Sequence, residues 1–325
     1  MTPLQQALER AWEARAALHR APEVTSAYRL FDGRWEGAQG WTIDRYGEAI
    51  LVQSFHREGA DEGLLEEVFA FLCQRLGREP TVFLKERGVR SPERSIGRRI
   101  HGDGETSVEV LEGGLKFAID FASGPNTGLF LDARPLRAWV REHSAGLRVL
   151  NLFSYTGAFG VAAAAGGARS VTNVDVVPSA IERGRANFDR NDLPSDSRTH
   201  LKAEAFDFLK RAAKSGQTWD AIVADPPPVP TAGRRGKRKR NRGFDPSADL
   251  ARLLQLAHER LSPSGGWLLA CSALRGTARF EERLPEGPVP AEGLARGSDF
   301  PGPASDGLRA WVIQPSKGLQ LQAES

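Results

Sequence analysis

Residues 149–175, reading VLNLFSYTGAFGVAAAAGGARSVTNVD, constrain this chain more than any other stretch. An apolar strand runs into a glycine-bearing turn, a small-residue helix and a second strand ending in Asp175. That order predicts a parallel α/β sheet with a nucleotide-type ligand at the carboxyl ends of its strands. The turn lets the backbone approach the ligand, the helix start offers free N–H groups, and the carboxylate after the second strand can accept both ribose hydroxyls. The turn is not the G-x-G-x-x-G of dinucleotide sites. Gly157 and Gly160 are present, but Phe153-Ser154 replaces the first glycine and no second phosphate-cradling glycine follows. A ligand with a ribose and no pyrophosphate fits better, and S-adenosylmethionine is such a ligand. The same elements also occur in doubly wound domains that bind no ribose, so the segment alone leaves that reading open.

The short apolar run DAIV, residues 220–223, reaches the same edge of the sheet and delivers Asp225-Pro226-Pro227. Prolines fix the backbone dihedrals and donate no N–H, which makes a rigid rim. As a bare turn the tripeptide would mean little. At this place in the strand order it resembles the acidic or amide residue and two prolines that methyltransferases of this architecture set before the donor methyl.

With 325 residues, 40% hydrophobic and 26% charged, the chain is long enough for two cores. No apolar run reaches the roughly 20 residues of a membrane helix, and the amphipathic start has no signal-peptide pattern, which points to the cytoplasm and away from a membrane. Cys73 and Cys271 offer neither a disulfide framework nor zinc-ligand spacing, so no metal is expected. The net charge of +3 conceals one run: Arg234, Arg235, Lys237, Arg238, Lys239, Arg240 and Arg242 leave the rest of the chain net negative. Such a run is often a solvated segment. Its position just after Asp225 also suits a polyanion: an electrostatic clamp on RNA, sensitive to salt, with Phe244 nearby as a stacking surface.

The expected architecture is an N-terminal helix over residues 1–24, a small α+β domain over 25–120, and a doubly wound Rossmann-like α/β methyltransferase domain over 121–325. In the middle segment, β-like runs at 41–43, 49–54, 81–85 and 108–111 surround a helix at about 61–75 with Leu64, Leu65, Val68, Phe71 and Leu72 at helical spacing. Cys73 on that helix reads as a small buried hydrophobe. Residues 282–306, rich in Pro and Gly, read as a long loop before a last strand at 308–313.

The run Asn126-Thr127-Gly128-Leu129-Phe130-Leu131-Asp132-Ala133-Arg134, then Leu150-Asn151-Leu152-Phe153-Ser154-Tyr155-Thr156-Gly157, Asp175 and Asp225-Pro226-Pro227, resembles the bacterial ribosomal large-subunit RNA cytosine-C5 methyltransferases and their close relatives. Ala27-Tyr28-Arg29-Leu30 and Trp41-Thr42-Ile43-Asp44-Arg45-Tyr46-Gly47 look like that family's central domain, so the likeness runs from about residue 25 to the end. It implies that Asp132 and Arg134 help close the donor pocket and that Phe153, Ser154, Thr156 and Gly157 surround the methionine part. Asp175 would bind the ribose and Glu204, where relatives usually have Asp, the adenine amino group. Asn151, Val176, Asp225 and Pro226 complete the implied donor set. Asp132 and Arg134 could equally form a structural ion pair.

Three departures stand out. The family's small N-terminal RNA-binding domain of the pseudouridine-synthase-associated type has no counterpart in the 24 residues before the likeness begins, and the basic run could compensate. Pro228-Val229-Pro230 stands where relatives carry an aromatic. Gly124-Pro125-Asn126 lacks a lysine found in relatives.

The implied partner is ribosomal RNA or a ribosome-assembly intermediate. Cytosine C5 has no lone pair for a sulfonium methyl, so a covalent route through a cysteine thiolate added at C6 is expected. Trp267-Leu268-Leu269-Ala270-Cys271-Ser272 reads as a core strand, and the resemblance puts the nucleophile at Cys271. Asp225 would hydrogen-bond the N3 edge of the base, and Arg275 or the basic run could lower the thiol pKa from about 8.5. Three readings stay open beside it: nitrogen methylation with an inert Cys271, a catalytically silent donor-binding RNA or assembly protein, and a small-molecule methyltransferase.

Overall fold

In the computed structural model of the chain, residues 1–196, 198–231, 243–263, 266–272, 289–290, 297–303 and 308–314 are described. The chain forms two units, Met1–Arg134 with Arg296–Pro303, and Pro135–Ala295 with Ala304–Ser325. Residues 1–24 are thus part of the first unit, whose end lies beyond the boundary at 120 expected from sequence.

In the first unit, α1 (Pro3–Ala14) starts at a capping box, with the Gln5 N–H donating to Thr2 Oγ1 at 3.1 Å and the Thr2 N–H to the Gln5 side chain at 3.0 Å. Its Ala7, Leu8 and Ala11 join the core of the following sheet. After α2 (Ala16–His19) come β1 (Ala27–Asp32), α3 (Gly33–Glu36), β2 (Trp41–Tyr46), β3 (Ala49–Ser54), α4 (Glu62–Leu76), β4 (Thr81–Glu86) and β5 (Arg98–His101). The five strands pair in chain order; β3 and β4 are parallel and the other pairs antiparallel. A parallel pair needs a crossover, and α4 supplies it, capped by Asp61 at one end and by Gly77 with φ 69° at the other. A hairpin of β6 (Ser107–Glu112) and β7 (Leu115–Asp120) precedes a 3₁₀ turn, Leu131–Ala133, and α5 (Arg134–Glu142) then opens the second unit.

The sequence expectation of one long loop over 282–306 needs correction. Residues 289–290 form a strand, and Asp299 is fully buried in the first unit, where it accepts the Arg29 N–H at 3.1 Å and holds Arg134. Arg15, 1% exposed, donates to the Asp299 carbonyl at 3.0 Å and pairs with Glu36. A charge so far from water persists only when paired and hydrogen-bonded, which is why this polar-looking segment is packed.

The second unit holds β8 (Arg148–Leu152), α6 (Ala158–Ala165), β9 (Ser170–Asp175), α7 (Pro178–Arg190), β10 (His200–Lys202), α8 (Ala205–Lys214), β11 (Ala221–Ala224), α9 (Pro246–His258), β12 (Trp267–Ser272), β13 (Val289–Pro290) and β14 (Arg309–Ile313). The sheet order is β10-β9-β8-β11-β12-β14-β13, with β10 to β12 parallel and β14 antiparallel to both its neighbours. This is the doubly wound order of dinucleotide folds as far as β12; antiparallel β14 then takes the next place. One face buries Leu150, Leu152, Ile222, Ala224, Leu268 and Ala270 against α8 and α9, while α6 and α7 pack on β8, β9 and β10. The chain reverses its direction of travel across the sheet between β8 and β11. That switch point is where such sheets open a crevice for ligands.

Candidate functional site

Strand register brings the sequence-predicted residues of the second unit to one edge. Leu152 lies opposite Val174 on one side and Ala224 on the other, and Ala224 lies opposite Ala270. The next residues, Phe153, Asp175, Asp225 and Cys271, therefore end four adjacent parallel strands at one level. Because side chains alternate along a strand, Cys271 lies on the face opposite the Ala270 core.

The turn after β8 has a feature its sequence does not announce. Phe153 (φ 55°), Tyr155 (φ 47°) and Gly157 (φ 74°) are all left-handed. Only the glycine adopts this without cost, and such outliers persist where surroundings over-determine them. Here Asp175 Oδ2 accepts the Tyr155 N–H at 2.8 Å, Asp175 Oδ1 accepts the Val177 N–H at 2.8 Å, and the Val174 carbonyl accepts the Ser154 N–H at 3.0 Å. From α7, buried Asn187 donates its Nδ2 to the Thr156 carbonyl at 3.0 Å, and the Arg183 guanidinium stands 6.0 Å from the Tyr155 ring centre. Gly160 lets α6 close on β9: a Cβ there would stand 2.2 Å from Asn173 Oδ1, which accepts from Asn151 Nδ2 at 2.9 Å.

These residues fit S-adenosylmethionine. Ser154 Oγ is buried with no hydrogen-bond partner among the described residues. The N-cap of α6 is Gly157 with no side-chain cap bond, so the first N–H groups of the helix face the turn unblocked. A carboxylate has about four acceptor positions, so Asp175 can serve ribose hydroxyls while bonded to two backbone groups. Val176 beside it is 51% exposed, an apolar surface on a polar rim.

Glu204 caps α8, accepting the Asp207 N–H at 3.0 Å. Asp132 and Arg134 belong to the first unit, where Arg134 pairs with Asp299. Asp225 is half-buried and Pro226 buried. Cys271 is fully buried. Phe244 is not a stacking surface: it is 7% exposed, edge-on to Phe153 at 5.0 Å, because the ring fills the sheet's aromatic core. The basic residues Arg234 to Arg242 and Arg275 lie outside the described residues. The chain on either side of the basic run is pinned, with the Phe244 N–H donating to Thr231 Oγ1 at 2.8 Å and the Thr231 N–H to the Phe244 carbonyl at 2.9 Å. Among the described residues no helix is long and apolar enough to cross a membrane.

A family model described as S-adenosylmethionine-dependent methyltransferase matches residues 81–289. Ribosomal RNA large subunit methyltransferase I of Aeromonas salmonicida is 30% identical over 312 residues, 90% of this chain and 74% of that one. YwbD of Bacillus subtilis, assigned as a ribosomal RNA large subunit methyltransferase, is 32% identical over 258 residues, 76% of this chain, and the match spans 61% of that protein's length. Among solved structures, an assigned methyltransferase, SMU.776, complexed with SAH superposes with a TM-score of 0.80 at 25% identity, covering 95% of this chain and 80% of that one. The M. jannaschii tRNA m1G37 methyltransferase, at 15% identity and a TM-score of 0.53 over 86% of this chain and 76% of that one, shares the fold. With the sheet order, the left-handed turn and Asp175 in place, the chain belongs to the S-adenosylmethionine-dependent methyltransferase family.

Proposed function

We propose that this protein methylates C5 of a cytosine in large-subunit ribosomal RNA, free or within an assembly intermediate, in the bacterial cytoplasm. The observation that carries the reading is the shared register level of Asp175, Asp225 and Cys271 at the carboxyl ends of β9, β11 and β12. The names of the two relatives support the substrate class, and the seven positive charges from Arg234 to Arg242 suit a polyanion. Asn151, Phe153, Ser154, Thr156, Gly157, Asp175, Val176, Glu204 and Pro226 would hold the donor. When bound, the donor supplies an electrophilic methyl on a sulfonium.

In the covalent route the Cys271 thiolate bonds to C6 of the base, and the electron pair of the C5–C6 double bond moves to C5. A hydrogen bond between Asp225 and the protonated N3 edge of the base would accommodate the charge that builds on the ring. C5 would then take the methyl from the donor, and a base, a role for which Asp225 is the candidate, would take the C5 proton so that the double bond re-forms and the thiolate leaves.

The complete burial of Cys271 favours a second reading, methylation of a base nitrogen. A ring nitrogen brings its own lone pair, needs no thiolate, and would be held by Asp225-Pro226-Pro227. One experiment separates the two. The protein and its Cys271→Ala variant are incubated with methyl-labelled donor and unmodified large-subunit RNA, and labelled nucleosides are identified by mass spectrometry. Label in 5-methylcytosine that vanishes with the alanine supports the covalent route; label in an N-methylated base that survives it supports the second reading; donor binding without label overturns both.

A further inference from the structure

In the first unit the parallel strands β3 and β4 end in register, Ser54 opposite Glu86, and the loops leaving that edge are bonded together. The Ser54 carbonyl accepts the N–H groups of Arg87 at 2.7 Å and Gly88 at 3.3 Å. A side chain at Gly88 would stand 2.3 Å from the carbonyl oxygens of both Phe55 and His56, so the two loops touch. Phe55 is fixed by its N–H, which donates to the Gly40 carbonyl at 2.8 Å, yet its ring is 49% exposed. His56 next to it packs on buried Trp41, with ring centres 5.8 Å apart. A lone exposed aromatic on a mobile tip would mean little. This one is presented by an anchored backbone.

Arg57, on the loop that carries Phe55, and Arg87 and Arg90, on the loop that touches it, are exposed. The carboxylates of the same loops oppose them only in part. Glu86 is buried, paired with Arg94 and accepting the Ala60 N–H at 2.9 Å; Glu93 accepts the Ser91 hydroxyl at 2.6 Å; Glu58 is exposed. The rim also adjoins the turn that leads to Asn126-Thr127-Gly128: Arg87 donates to the Pro125 carbonyl at 2.7 Å, and the buried Lys85 Nζ to the Gly124 carbonyl at 2.8 Å. A held, exposed aromatic with exposed arginines on its own loop and on the loop that touches it matches the stacking-plus-phosphate chemistry of single-strand recognition.

We propose that this rim docks single-stranded RNA, with Phe55 stacking on a base and Arg57, Arg87 and Arg90 meeting phosphates, an inference that rests on the RNA substrate proposed above. The test uses the full chain and a fluorescein-labelled, unmodified single-stranded fragment of large-subunit RNA, followed by anisotropy across a salt series. Phe55→Ala is expected to weaken binding by about tenfold. Arg57→Ala with Arg90→Ala should weaken it further and flatten the log–log salt slope by about 1.4, the loss of two phosphate contacts. Arg10→Ala with Arg20→Ala, on exposed arginines of the N-terminal segment, serves as a charge-matched control, and donor affinity by calorimetry should be unchanged in every variant. Rim variants that bind like the unaltered protein, or a control that loses as much as they do, overturn the docking surface. An unaltered protein that binds donor but no RNA overturns the proposed substrate, and the docking surface with it.

Discussion

The backbone N–H of Tyr155 donates to Asp175 Oδ2 at 2.8 Å, so the turn after β8 and the end of β9 form one hydrogen-bonded unit. The same carboxylate is the expected ribose acceptor. Asp175→Ala should therefore weaken donor binding by two orders of magnitude or so, since each hydrogen bond to a charged group contributes about 1.5–3 kcal/mol. Asp175→Asn keeps the shape without the charge and should lose less. Calorimetric titration with S-adenosylhomocysteine checks both.

Asn187 tests whether α7 positions the turn. Asn187→Ala removes the donor to the Thr156 carbonyl and should raise the donor KM several-fold, about 1 kcal/mol, with little change in kcat. Tyr155→Gly relieves the left-handed strain at its φ of 47°. If the buttress acts by holding a strained turn, the KM penalty of Asn187→Ala should shrink in that background; an undiminished penalty points to a purely structural role.

At Gly160 the packing leaves no room. Gly160→Ala puts a methyl 2.2 Å from Asn173 Oδ1, and overpacking of this kind typically costs about 1–3 kcal/mol. The urea midpoint should fall accordingly. Adding Asn173→Ala should restore part of the loss, limited by the Asn151 amide that then lacks its acceptor.

His200 is 2% exposed, with neither ring nitrogen hydrogen-bonded among the described residues. Burial, reinforced by the charge of Arg185, pushes its pKa from 6.5 down to about 4. A folded-state pKa below the unfolded one means that its contribution is complete above pH 6.5 and declines as the pH falls toward 4. The slope cannot exceed about 1.4 kcal/mol per pH unit for one proton. Denaturation curves at pH 7, 5.5 and 4.5 should show the decline, and His200→Leu should flatten it.

Removing Asp299 leaves the Arg134 guanidinium without its partner and the Arg29 N–H without its acceptor. Breaking a buried ion pair from one side costs about 3–5 kcal/mol. Asp299→Ala should lower the midpoint of thermal unfolding by several degrees, as followed by calorimetry.

The second unit was legible because its signals are local. Gly157 and the small-residue run that follows it mark a turn onto a helix, and the apolar positions of β9 stop at a charged aspartate. The left-handed Phe153 and Tyr155 were invisible, since aromatic residues give no sign of positive φ and the cause lies in Asp175 and Asn187. Asp299 was misread for a related reason: within a Pro- and Gly-rich stretch, its burial is decided by Arg29 and Arg134, far away in sequence. Phe244 followed a basic run and looked exposed, but its neighbours Phe153 and Phe206 are set by other strands. Strand β1 went unread because its alternation breaks at Arg29, where the pairing with β2 shifts register.

The hydrogen bonds joining Thr231 to Phe244 have an evolutionary consequence. They hold together the two points from which the intervening stretch leaves and to which it returns, so a change in its composition or length is expected to leave undisturbed the register that aligns Asp225 with Cys271.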